Sequence, residues 1–100
     1  MNDDGSVVSL SGRLDVRAAA DVRLELADAV DRGHGELIVD LAALEAVDAT
    51  GLGVLVGAHR RAQRAGRTLV LADVPDPVTR LLFLTRLDKV LRTRRTERCA

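Results

Sequence analysis

One hundred residues, 47% of them hydrophobic, suit one folded domain with its own core and exclude an intrinsically disordered chain. Fifteen basic and fifteen acidic side chains cancel overall, yet residues 1–50 carry four arginines against eleven acids and residues 51–100 eleven cations against four acids. Phe83 is the one aromatic residue, which removes the stacking platforms used by single-strand nucleic-acid binders.

Val7, Val8 and Leu10 form a short β-type run, broken at Ser11-Gly12 and resumed at Arg13-Leu14, so the opening reads as hairpin-like. Ala18 to Arg32 reads as a helix: Ala19, Val22, Leu26, Ala29 and Val30 share one face, and Gly33-His34-Gly35 stops it. Leu37-Ile38-Val39 is an apolar strand without alternation, expected to be covered on both faces and to end at Asp40. Val47 to Gly51 then turns into a second helix running to about Ala65. Leu55, Ala58, Ala62 and Ala65 point inward on it, and Arg60, Arg61 and Arg64 outward. Gly53 and Gly57, four apart, share a face and invite another backbone to approach closely.

Gly66 ends the second helix and Leu69-Val70-Leu71 makes a further buried strand. Asp76, as N-cap, and Pro77, as first residue, open a third helix with Val78, Leu81, Leu82 and Thr85 inward. Leu87 to Leu91 reads as a last short strand, and residues 92–100 as a polar tail. Strand–helix alternation from residue 36 onward implies right-handed βαβ units. With the hairpin-like opening, the expected fold is one α/β domain over residues 1–100, a mixed sheet of four or five strands with flanking helices.

The most informative stretch is Val47-Asp48-Ala49-Thr50-Gly51-Leu52-Gly53-Val54-Leu55. An acid, two small residues and a glycine join two apolar runs, which suits a strand-to-helix turn with outward-facing N-terminal peptide groups. Asp48 and Thr50 also suit plain capping of the second helix. Gly51 and Gly53 lie in no phosphate-loop frame. His34 and His59 belong to no metal-ligand spacing and are expected at the surface, so no cofactor or metal is implied. No nucleophile–base set is present, which argues against an enzyme. Acids flanking the exposed arginines argue against nucleic acid. Cys99 stands alone, which excludes an internal disulfide and fits a reducing compartment. With no ~20-residue apolar run and no signal-like start, a cytoplasmic protein without membrane insertion is expected.

Gly12-Arg13-Leu14-Asp15, Leu37-Ile38-Val39-Asp40-Leu41, the Asp48–Leu55 segment, Gly66-Arg67-Thr68-Leu69-Val70 and Arg80-Leu81-Leu82-Phe83-Leu84-Thr85-Arg86-Leu87 occur in the order and spacing of the STAS domain. The chain resembles that family over about residues 7–91, shortened at both ends. Its first edge strand is cut short and it lacks an obvious terminal helix. The resemblance implies a mixed sheet with flanking helices. For the antagonist branch it implies binding to an anti-sigma factor that is also a serine kinase, which frees a sigma factor for transcription in a bacterium. In that branch the kinase phosphorylates the residue after the motif aspartate and a phosphatase reverses it.

Carried over by position, Asp48 matches the motif aspartate, Thr50 the second hydroxyl residue and Gly51 the glycine, while Ala49 occupies the phosphoacceptor position without a hydroxyl. Ala49 admits three explanations: natural divergence, a deliberate serine-to-alanine change, or a shift of the acceptor to Thr50. The resemblance places the partner-binding surface at Asp15, Asp48, Ala49, Thr50, Gly51, Leu52 and Gly53. Asp15 fits either a contact to a basic partner residue or local capping. A second functional reading is a small subunit bound to the ATPase of a phospholipid transport system.

Overall fold

The computed structural model describes residues 6–95. In chain order the elements are β1 (Val7–Leu14), α1 (Ala19–Arg32), β2 (Glu36–Val47), α2 (Ala49–Arg64), β3 (Thr68–Ala72), α3 (Asp76–Leu84), a 3-10 turn (Leu87–Lys89) and β4 (Arg92–Arg94). The strands lie side by side as β1-β2-β3-β4. One α/β domain with four strands and flanking helices agrees with the sequence reading.

The mixed sheet expected from the opening segment is not what forms. All three strand pairs among the described residues are parallel. Ser11-Gly12 does not turn the chain back; β1 runs through it, with Gly12 at a φ of 74°. The irregularity falls on the partner strand instead. Between Ser9 and Ser11, β2 advances from Asp40 to Ala43, and between Gly12 and Arg13 from Leu44 to Ala46. Each step inserts one extra β2 residue, a bulge. Asp40 therefore does not end its strand; its Oδ1 accepts the Ala42 N–H at 2.9 Å within the first bulge. Beyond both bulges, Leu14 pairs with Val47, so β1 and β2 end level.

Burial follows the pleat. Leu37, Val39 and Leu41 are buried while Ile38 and Asp40 are half-buried, so β2 alternates where cover on both faces was expected. Helix α1 packs on α2 and β1, and α2 on β2 and β3. Leu26 and Val30 of α1, Leu55 and Ala62 of α2, and Val78 and Leu82 of α3 are buried, as their spacing indicates. Ala65 and Thr85, expected inward, are exposed.

Arg67 joins the layers. It is 4% exposed, and its guanidinium donates to the carbonyls of Ala29, Val30 and Gly35 at 2.8, 3.1 and 3.0 Å, with Glu36 O at 3.3 Å. The carbonyls at the end of α1 carry the negative end of the helix dipole, so a fixed cation satisfies both their lone pairs and their field.

The chain differs from expectation again after β3. Pro75, extended at φ −62° and ψ 151°, is the N-cap of α3, and Asp76 is its first residue. Residues 87–91 form the 3-10 turn and its exit, whereas the strand lies at 92–94, inside the supposed tail. The rest of that tail, with Cys99, lies outside the described residues. Arg94 holds Glu36 through paired contacts of 2.7 and 2.6 Å, and Arg61 holds Asp31 at 3.2 and 2.7 Å. Hydrogen bonds from these guanidinium groups keep both carboxyls below the usual carboxylate range. Their folded pKa values are depressed, so the support they give is present above the unfolded value and fades as pH falls through the folded one. Exposure keeps it small.

Glycine packing is opposite at two positions on α2. A Cβ on Gly51 would strike the Leu14 carbonyl oxygen and come within 2.7 Å of Val47 Cγ2. At Gly57 a Cβ meets nothing within 4 Å, and the same holds at Gly53. The close approach expected at 53 and 57 thus occurs at 51, where α2 crosses the end of β1. We expect Gly51→Ala to lower the unfolding free energy by roughly 1–3 kcal/mol, as overpacking does. Gly57→Ala should raise it by roughly 0.5–1 kcal/mol. Denaturant titrations of both variants check the pair, and equal signs would refute the packing. Leu55, 0% exposed, should lose roughly 2–5 kcal/mol on Leu55→Ala, read by the same titration.

Candidate functional site

The level ends of β1 and β2 set Asp15 and Asp48 beside each other, because each directly follows a paired strand residue. The Asp48 N–H donates to Leu14 O at 3.2 Å, continuing the ladder by one step. Its backbone is extended at φ −109° and ψ −175°, which aims the side chain over the first turn of α2. There Oδ1 accepts the Gly51 N–H at 2.8 Å and Oδ2 accepts the Val16 N–H at 3.3 Å. One carboxylate therefore caps α2 and ties down the loop leading to α1. Asp15 does similar work locally: its Oδ1 accepts the N–H groups of Arg17 at 3.0 Å and Ala18 at 3.3 Å. Both aspartates are half-buried and engaged with backbone. Capping, one of the two roles open to each in the sequence, is what they do in the structure.

Of the seven residues expected at the docking surface, Ala49, Thr50 and Gly53 are exposed, while Gly51 and Leu52 are buried. The last two shape the turn from beneath and offer no side chain to a partner. The clamp holds Ala49 and Thr50 at the first two positions of α2, facing outward. Ala49 presents a methyl group, and Thr50 is the hydroxyl-bearing residue beside it. This is a corner of small, exposed residues set by the Asp48 hydrogen bonds.

Sequence reasoning passed over two features. Val16 is 69% exposed next to this corner, an apolar side chain held outward by its own N–H bond to Asp48. Its only signal was an apolar residue outside any helical stripe. His59 was expected at the surface but is 8% exposed, with Nδ1 buried and, among the described residues, without a hydrogen-bond partner. Its spacing of four from Leu55 and three from Ala62 puts it on the inward stripe, and its polarity masked that position. His34 is exposed as expected. Among the described residues no three His, Cys, Asp or Glu side chains gather to hold a metal ion, and no helix is long and apolar enough to cross a membrane.

The profile of a family described as "Mlab, STAS domain" matches residues 1–93. The chain is 34% identical over 86 residues to the anti-sigma F factor antagonist of Paenibacillus polymyxa, spanning 85% of this chain and 74% of that protein. It is 29% identical over 90 residues to the anti-sigma-B factor antagonist of Bacillus subtilis (strain 168), spanning 90% and 82%. The crystal structure of an anti-sigma factor antagonist from Mycobacterium paratuberculosis superposes with a TM-score of 0.80 at 26% identity, over 93% of this chain and 80% of that one. The four-stranded sheet, the Asp48-capped corner and the match over 93 residues agree: the chain belongs to the STAS domain family.

Proposed function

We propose that this protein is a cytoplasmic anti-sigma factor antagonist that docks a kinase-type anti-sigma factor on the corner formed by Ala49, Thr50, Gly53 and Val16. The observation that carries this reading is the Asp48 clamp, which spends a carboxylate on presenting two small exposed residues in fixed geometry. The names of the relatives support the same function. Asp15 and Asp48 act as positioning residues, Gly51 and Leu52 as the packed base of the corner.

In this reading, Ala49 keeps the surface permanently receptive. A phosphoryl group adds about −1.5 to −2 charge and three acceptor oxygens, enough to spoil a close small-residue contact. Alanine has no oxygen to receive one. A second reading, the subunit beside the ATPase of a phospholipid transport system, is favoured by the same alanine, since such a role needs no phosphoacceptor there.

Capture of partners on the tagged protein from its native cell, with identification by mass spectrometry, separates the two. An anti-sigma factor supports the first reading and a transport ATPase the second. With the captured anti-sigma factor, Ala49→Glu should weaken binding about tenfold or more, roughly 1.4 kcal/mol, in calorimetry. Unchanged affinity would move the interface elsewhere. Incubated with that anti-sigma factor and ATP, the protein should keep its intact mass. A phosphoryl group mapped to Thr50 would show instead that the acceptor has shifted by one residue.

A further inference from the structure

Helices α1 and α2 leave a cavity of about 150 Å³ between them, floored by Ala27, Val54, Gly57 and Ala58 and rimmed by Arg23, Arg61 and Arg64. That volume takes a group about the size of benzene. Among the described residues, nothing beyond its own helix backbone and chain neighbours stands within 4 Å of where a Gly57 Cβ would be, so the floor is open. Arg61 is neutralised by Asp31 at 2.7 Å, but Arg23 and Arg64 form no ion pair among the described residues. The trough is apolar at its base and carries two uncompensated cations on its edge.

The matching knob is on the same molecule. Leu24 of α1 is 70% exposed, among the most exposed large apolar side chains described. Asp21 and Asp28 flank it at helical spacings of three and four; both are exposed, and Asp28 also pairs with Arg32 of its own helix at 3.0 Å. An aliphatic side chain flanked by two acids is the complement of an apolar hollow rimmed by arginines. The knob stands on α1 and the hollow lies between α1 and α2 of the same chain, and that permits mutual insertion about a two-fold axis, where each copy supplies to the other what it receives.

We propose that two copies of this chain associate through α1, Leu24 of each seating in the hollow over Gly57 of the other, with Asp21 and Asp28 meeting the partner subunit's Arg23 and Arg64. The contact lies one helical turn or more along α2 from Ala49, so it is separate from the proposed docking corner. Attraction between exposed opposite charges at the rim makes the association salt-sensitive.

Sedimentation velocity on the full chain tests this at about 100 μM, where a micromolar Kd gives mostly dimer. Wild type should sediment as a dimer that dissociates in 1 M salt, where the Debye length falls to about 3 Å. Leu24→Glu and Gly57→Leu should each be monomeric. The first side chain is exposed and the second position is open, so both variants should keep the wild-type circular dichroism. The double variant Arg23→Glu, Arg64→Glu should also be monomeric, and adding Asp21→Arg and Asp28→Arg to it should restore the dimer. A wild-type monomer at this concentration, or a dimer that persists in Leu24→Glu and Gly57→Leu, would overturn the proposal. So would a monomer whose binding to another protein's acidic helix is lost in the double arginine variant, which would give the hollow to a different occupant.

Discussion

The carboxylate of Asp48 is where the sheet becomes a surface. It receives one N–H from α2 and one from the loop entering α1, while its own N–H extends the β1–β2 ladder. Four pieces of chain therefore share one residue. Hydrogen bonds to an ionised acceptor are roughly twice as strong as neutral ones, and an N-cap is worth about 1 kcal/mol by itself. The position of Ala49 and Thr50 follows from that residue and from Gly51, where α2 crosses the end of β1 too closely for any Cβ. Neither would align without the two β2 bulges, which bring the strands to a common end.

The opposite end of the helical layer is fixed by different means. Arg67 collects the last carbonyls of α1 and those of the following turn, while Asp15 accepts the N–H groups of Arg17 and Ala18 in the turn that precedes that helix. The end of α1 is held by Arg67 and the start of α2 by Asp48. What varies along their exposed surface is charge, not geometry. The split between the acidic first half and the basic second half is partly spent inside the domain: Asp31 meets Arg61, and Glu36 meets Arg94. Asp28 pairs with Arg32 within α1, and the remaining acids of α1 and arginines of α2 are exposed.

Much of this was legible in residue patterns, for stated reasons. The stripes of α1 and α2 placed both helices because 3.6-residue periodicity survives whatever packs on it, though α2 begins at Ala49, inside the expected turn. The corner was legible because an acid, small residues and a glycine have few other uses between two apolar runs. Strand direction was not legible. Ser11-Gly12 carries the local signal of a turn, and only its pairing with a bulged neighbour makes it a continuous strand. Asp40 misled in the same way, since an Asx turn inside a bulge resembles one at a strand end. Arg67 carries no sequence signal of its burial, because its partners are backbone carbonyls that leave no mark on composition. Its burial depends on α1 ending where it does.

The location of Ala49 constrains how any charge there would act. It occupies the first position of α2, beside N–H groups that form the positive end of the helix dipole, and an anion at such a place stabilises a helix by roughly 0.3–1 kcal/mol. A phosphoryl group or a carboxylate at 49 would therefore leave the fold intact. Asp48 already fills the inward side of the turn, so the added charge would point to solvent and alter the corner only as seen from outside. A switch at this position works by excluding a partner, with no need to unfold or rearrange the domain.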